Sequence, residues 1–258
     1  MNPHLDLLLS HPALALRVAR NPFRYLRKPA HEMPPAFHVE HTRLCLERSA
    51  ARFAGLNGLA GPERLGPLLE RELGRFCGRK SAMYMLCRIF RPQLVVETGV
   101  WFGFSSSHIL RALADNGGEG RLYSIDQPEH GYDLADGSPF RERLPGQDMT
   151  GFVVPAQLRA RWELHLGASQ QILPGLLERL GTIDMFFHDS EHSYENMAFE
   201  FDSAWERLRP GGLLVADDVD WNSALDDFCR ARGIRPAAVR AGLAVCVKPG
   251  RPAPAALP

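Results

Sequence analysis

Two acidic clusters and a histidine pair carry the chemistry in this 258-residue chain. The first reads Asp184-Met185-Phe186-Phe187-His188-Asp189-Ser190-Glu191-His192-Ser193-Tyr194. The second reads Leu213-Leu214-Val215-Ala216-Asp217-Asp218-Val219-Asp220-Trp221-Asn222. Each opens with an apolar run that reads as a buried strand, so both acidic ends fall on one rim of a sheet. Asp189, Asp217 and Asp218 together make a hard, all-oxygen donor set, which favours Mg²⁺, Mn²⁺ or Ca²⁺ over zinc. Three bare carboxylates in one cleft repel one another unless a cation sits among them. His188 and His192 have the i, i+4 spacing of a zinc pair. His188 ends a strand, however, and no HExxH helix surrounds it, so zinc is rejected.

A third constellation lies upstream, in Glu97-Thr98-Gly99-Val100-Trp101-Phe102-Gly103-Phe104-Ser105. It follows a short apolar strand and opens a helix. Gly99 and Gly103 suit a tight turn whose backbone approaches a ligand closely. The spacing is E-x-G-x-x-x-G-x-S and not the G-x-G-x-x-G that presents helix N–H groups to a pyrophosphate. An acidic residue behind a looser loop suits a cofactor with a cationic amino-acid end and no phosphate, which is S-adenosylmethionine. Asp126, ending the strand Leu122-Tyr123-Ser124-Ile125-Asp126, is placed to accept two ribose hydroxyls. Gly167-Ala168-Ser169 follows a third strand and offers a small loop for the adenine edge. The expected cofactor residues are therefore Glu97, Gly99, Val100, Gly103, Ser105, Asp126, Ala168, Ser169 and Asp189.

The elements that must position these residues begin at Arg79. Residues 81–90 read as a helix with Ala82, Met85, Leu86 and Ile89 on one face, ended by Pro92. Strands are expected at 94–97, 121–126, 162–166, 183–187 and 213–216. Helices are expected at 106–114, 172–180, 194–208 and 224–232. Pro210-Gly211-Gly212 reads as a sharp turn into the last of those strands, and residues 237–247 as a hairpin around Ala241-Gly242. Apolar strands alternating with helices imply an α/β fold with a mainly parallel sheet covered on both faces. The stretch 127–157 has no clear periodicity and reads as a lid or substrate loop, with Trp221 as a further wall.

Residues 1–75 lack strand alternation and read as a helical cap interrupted by Pro22, Pro29, Pro34 and Pro35. Arg17, Arg20, Arg24, Arg27 and Lys28 gather around Phe23 and Tyr25. Because Pro22 breaks that stretch, a solvated cap is expected in preference to a basic amphipathic helix that touches membrane or an anionic substrate. The domain boundaries follow as 1–75 for the cap, 76–248 for the catalytic α/β domain and 249–258 for a disordered Pro/Ala tail.

Bulk properties narrow the partners. Thirty basic residues balance thirty acidic ones, so no global field attracts nucleic acid. A small-molecule acceptor is expected, with homo-oligomerisation left open. No apolar run approaches the roughly 20 residues of a membrane span. The N-terminus lacks the order of a signal peptide, because its leucines precede its arginines. The five cysteines are scattered and never form a CxxC pair, which points away from a disulfide framework and toward the cytoplasm.

From about Arg79 to Val247 the sequence resembles the class I methyltransferases of the Methyltransferase-24 type. The carriers are Glu97-x-Gly99, Asp189-x-x-His192-x-Tyr194, and Leu208-x-Pro210-Gly211-Gly212 leading to Asp217-Asp218. The resemblance implies a Rossmann-like fold with a seven-stranded sheet and a C-terminal antiparallel hairpin. It is also similar to metal-dependent O-methyltransferases, which carry an Asp after the fourth strand and an acidic pair or Asp-Asn after the fifth. By that resemblance Asp189, Asp217 and Asp218 are the metal ligands and His192 is the general base. Asp217-Asp218 stands where the catechol enzymes have Asp-Asn and the macrolide-sugar enzymes have Glu-Asp. The expected activity is O-methylation of a hydroxyl on a small metabolite or sugar, and the resemblance leaves open whether a divalent metal assists it. The alternatives are a metal-free N- or C-methyltransferase, a nicotinamide-dependent oxidoreductase, and a non-catalytic cofactor-binding protein.

Overall fold

The computed structural model describes residues 35–55, 65–73, 78–133, 139–143 and 149–250. The basic cluster from Arg17 to Lys28 and the end of the Pro/Ala tail lie outside these residues. Three helices come first: α1 (Pro35–Arg52), α2 (Leu65–Leu73) and α3 (Gly78–Phe90). Pro35 opens α1 instead of breaking it, since the first helical turn needs no N–H from that residue and proline presets its φ. Then follow β1 (Leu94–Thr98), α4 (Phe104–Asp115), β2 (Arg121–Asp126), β3 (Glu129–Asp133), β4 (Pro139–Arg143) and β5 (Trp162–Leu166). The chain continues through α5 (Ser169–Leu180), β6 (Ile183–His188), α6 (Tyr194–Arg207), β7 (Leu208–Ala216), α7 (Ala224–Arg232), β8 (Ala238–Arg240) and β9 (Leu243–Val247).

Seven strands form one sheet in the order β5-β2-β1-β6-β7-β9-β8, and only β9 runs antiparallel to its neighbours. This is the expected mainly parallel seven-stranded sheet with a C-terminal antiparallel hairpin. Alternate residues feed two cores. Val95, Leu122, Met185, Phe187 and Val215 face one side, against Met83, Leu86, Ile109 and Leu110 from the helices. Val96, Tyr123, Ile125 and Phe186 face the other, against Leu173, Met197, Phe201 and Trp205. Each fully buried Leu, Phe or Met contributes roughly 1.5–3 kcal/mol. Phe53, Leu65 and Leu69 from the first two helical segments join the first core, and Ser49 and Ser81 share a buried hydroxyl bond of 2.7 Å.

Three expectations need revision. Pro210-Gly211-Gly212 does not turn out of the sheet. The strand starts at Leu208, which pairs with Ile183, and its register shifts before Met185 meets Leu213. The Gly211 N–H goes to the Lys248 carbonyl at 2.8 Å, so the glycines serve an irregularity within the strand. The stretch 127–157 is not without regular structure, since β3 and β4 form an antiparallel ribbon in it. Cys45 is disulfide-bonded, which the scattered cysteine spacing did not reveal. Cys87, Cys229 and Cys246 are buried free thiols.

The register levels the rim on which the site stands. Thr98 pairs with both Ile125 and His188, and His188 with Ala216. The ladder then continues one residue past each strand. Gly99 N donates to Ile125 O, Asp189 N to Thr98 O, Asp217 N to His188 O, and Gly167 N to Asp126 O, all at 2.8–2.9 Å. Strand order reverses at the β1/β6 boundary, where open α/β sheets bind ligands.

Candidate active site

The turn after β1 is shaped by two backbone crossings. Gly99 has φ +82°, and a Cβ there would lie 1.8 Å from the Asp189 carbonyl oxygen, so the β1 and β6 exits touch at this point. Gly103 has φ +91°, and a Cβ there would meet Gly151 Cα and Val154 Cγ2 at 2.8 Å. Its neighbours are thus the returning end of the 127–157 stretch, which also bonds the loop through Gly151 N to Trp101 O and Val153 N to Phe102 O. Both glycines are required by chain packing as well as by φ.

Glu97 is fully buried behind this loop. Its carboxylate accepts the hydroxyls of Ser105 and Ser106 at 2.6 Å and of Ser124 at 2.7 Å. Burial pushes its pKa up to about 7 against those donors. Asp126 reaches the loop directly: its Oδ1 accepts the Val100 N–H at 2.7 Å and the Trp101 N–H at 3.1 Å. Thr150 donates to the other oxygen at 3.3 Å.

A cavity of about 510 Å³ runs along the rim, within the range of small-ligand sites. Of the expected cofactor residues, Gly99, Val100, Ser105, Asp126, Ser169 and Asp189 line it. Glu97, Gly103 and Ala168 are not on its wall. The Asp126 carboxylate and the Gly99 turn share one end of the cavity.

The other end lies under β6 and β7. His192, Asp217, Asp218 and Trp221 line it with two cations that sequence reading passed over, Arg79 and Lys80. Arg79 Nη1 contacts Asp217 Oδ1 at 2.7 Å and Asp218 Oδ1 at 2.9 Å, while its Nη2 donates to Ala241 O at 2.8 Å. Asp218 holds a left-handed φ of +49°, and its N–H bonds Asp217 Oδ1 at 3.0 Å. Burial raises the Asp217 carboxyl above its ordinary range even beside Arg79. Asp189 is raised well above it by burial, with Asp217 and Asp218 adding to the effect. Lys80 places its ammonium 3.8 Å from the Phe104 ring centroid, and burial lowers its pKa to about 8. No described residue gives Lys80 a hydrogen bond or ion pair.

His192 stands between these groups. Its Nε2 is 4.0 Å from Asp218 Oδ2, and its ring is 5.0 Å from Trp221 and 5.2 Å from His188. Asn222 holds the His192 carbonyl at 3.0 Å, and Ser193 caps α6 by accepting the Asn196 N–H at 3.3 Å. His188 belongs elsewhere. It is fully buried, with Nδ1 2.7 Å from Glu200 Oε2, and Glu200 also receives Thr98 and Ser190.

A divalent cation on Asp189, Asp217 and Asp218 does not fit this arrangement. Two of the oxygens that would ligate it already face a single guanidinium nitrogen. Among the described residues, no three His, Cys, Asp or Glu side chains gather as a metal site. The start of α3 at Gly78, three residues before the expected one, is what makes Arg79 and Lys80 conspicuous. Cations in the first turn of a helix oppose its dipole, so a Gly-Arg-Lys helix start calls for a tertiary reason.

Residues 96–219 match the family model of a methyltransferase domain. No match is found among curated proteins. Among solved structures, the chain is similar to the O-methyltransferase of Bacillus cereus in complex with SAH, at 17% identity over 80% of this chain and 73% of that one, with a TM-score of 0.42. It is similar to the O-methyltransferase TomG of Streptomyces achromogenes, involved in tomaymycin synthesis and in complex with SAM. That likeness has 22% identity, coverage of 72% and 78%, and a TM-score of 0.43. It is also similar to an SAH-bound methyltransferase of Podospora anserina at 15% identity, with coverage of 81% and 96% and a TM-score of 0.48.

Proposed function

We infer that this chain, a class I S-adenosylmethionine-dependent methyltransferase, methylates a hydroxyl on a small metabolite or sugar, with His192 as the base. The observation that carries this reading is that one cavity joins Asp126 to His192. S-adenosylmethionine supplies, when bound, a methyl group on a sulfonium centre whose sulfur keeps the bonding pair as the methyl leaves. Asp126, already fixed by the loop N–H groups, offers carboxylate oxygen to the ribose hydroxyls. Gly99 and Ser169 keep the wall low beside it. At the far end Trp221 supplies a flat apolar face against the acceptor.

His192 takes the proton of the acceptor hydroxyl as that oxygen gains the methyl. Asp218, 4.0 Å from Nε2, then faces the imidazolium so formed and stabilises it. The chain's balanced charge favours an acceptor that is not a polyanion.

The test is His192→Ala, assayed for S-adenosylhomocysteine release over a panel of catechols, phenols and sugars. Turnover is expected to fall roughly 10²–10⁴-fold while S-adenosylhomocysteine affinity, measured by calorimetry, stays unchanged. Unaltered turnover removes His192 from the base role.

A further inference from the structure

We propose that the Arg79 guanidinium occupies the place of a divalent cation at the acceptor end, neutralising the Asp217–Asp218 pair and presenting N–H groups to the acceptor oxygen. This rests on the methyl-transfer reading above and names the group that completes that same site.

Consecutive aspartates normally point apart. Here the left-handed backbone at Asp218 (φ +49°) turns its carboxylate so that Oδ1 of both residues converges on one nitrogen, Arg79 Nη1. A non-glycine residue adopts that conformation only where its surroundings determine it. The guanidinium is held from a second side by the Ala241 carbonyl in the β8–β9 turn. The next residue, Gly242, leaves room for it: a Cβ there would come within 3.1 Å of Arg79 Nη2 and 3.5 Å of Asp218 Oδ1. Three separate segments, around residues 79, 217 and 242, thus build one seat for a planar cation.

Charge leads to the same residue. Asp189, Asp217 and Asp218 share this wall and Asp217 is buried, so a fixed positive charge beside them offsets their mutual repulsion. The cavity's other cation, Lys80, rests on Phe104 and contacts none of them. Arginine suits the role because its guanidinium stays protonated and carries five N–H groups in a rigid fork. Its contacts with Asp217, Asp218 and Ala241 leave N–H groups unspent on the cavity wall, where an acceptor hydroxyl or carbonyl can receive them. Its position in the first turn of α3 opposes the helix dipole, which fits a residue placed for the site and not for the helix.

The experiment compares Mn²⁺ binding to the chelator-treated full chain and to Arg79→Met by electron paramagnetic resonance, with Arg79→Lys as the charge-retaining variant. Removing the guanidinium exposes a carboxylate pair, so Arg79→Met is expected to bind Mn²⁺ at least about 10-fold more tightly than wild type. Arg79→Lys is expected to stay near wild type. Equal Mn²⁺ affinity in wild type and Arg79→Met overturns the proposal, as does turnover of the wild type that a chelator abolishes. S-adenosylhomocysteine calorimetry on the same samples keeps the two readings apart. Loss of that binding in wild type defeats the methyl-transfer reading, whereas a Mn²⁺ site in wild type defeats only the role of Arg79.

Discussion

The two ends of the cavity are built by different means. At the cofactor end, backbone groups do the positioning: Asp126 is fixed by two N–H donors of the loop, and the loop is set by strand register. At the acceptor end, side chains from remote segments do it, with Arg79 reaching Asp218 across 139 positions. A backbone-built wall tolerates little change in shape and varies little in charge. A side-chain-built wall can change its chemistry one residue at a time, and it bears the desolvation of Asp189, Asp217 and Lys80. Conserving the geometry of one wall while altering the charges of the other is how a single fold accepts one cofactor and many acceptors.

The hardest way to break the cofactor wall is Gly99→Ala. The new methyl would sit 1.8 Å from the Asp189 carbonyl oxygen, against the Asp189–Ser190 peptide, at a φ that alanine resists. We expect a loss of more than about 3 kcal/mol of stability in urea unfolding, together with loss of S-adenosylhomocysteine binding. Because the Asp189 backbone is what the methyl strikes, the acceptor end should be displaced as well. A Gly99→Ala protein with wild-type stability would show that the two exits do not touch in solution.

The same contrast sets how much could be read from sequence. Strand ends are local, so Asp126, Asp189 and the Asp217-Asp218 pair were placed on one rim from apolar runs alone, and the helices were found within a few residues of their ends. The inward turn of Glu97 was hidden, because the pattern E-x-G gives no sign of which way the carboxylate points. It required Ser105, Ser106 and Ser124 to gather around it. Gly103 was legible as a glycine position, but its neighbour Gly151 was not, since that partner comes from a stretch without periodicity. Arg79 and Lys80 fell just outside a helix expected to start at residue 81. Nothing at i+3 or i+4 pairs with them, and their partners are known only after the sheet closes.

Lys80→Met sharpens the comparison by removing an unpaired charge from the acceptor wall. Lys80 has a folded pKa near 8 against an ordinary 10.5, so the unfolded chain binds more protons between those values. Stability attributable to this group is therefore lowest below pH 8 and rises as pH increases toward 10.5. Methionine removes the burden and fills the same space, offset in part by losing the contact with Phe104. At pH 7 the variant should be more stable by up to roughly 2–3 kcal/mol, with the advantage vanishing above about pH 10, while turnover falls. A variant no more stable than wild type at pH 7 would mean that Lys80 finds solvent or a carboxylate that the folded chain does not provide.

Glu97→Gln tests whether the cofactor wall also stores charge. The Glu97 folded pKa near 7 lies above the ordinary 4.5, so the native state binds more protons between those values. Its contribution is fully present below pH 4.5 and is lost as pH rises through 7. Glutamine cannot ionise, so that slope should disappear from a plot of unfolding free energy against pH. The gain at pH 7.5 should stay within about 2 kcal/mol, because one amide oxygen replaces two carboxylate oxygens for three serine hydroxyls. Cofactor affinity should change little, since Glu97 lies behind the wall and not on it. If instead S-adenosylhomocysteine binding collapses while the fold stays intact, Glu97 acts on the cofactor itself, and the two ends would differ less than their construction suggests.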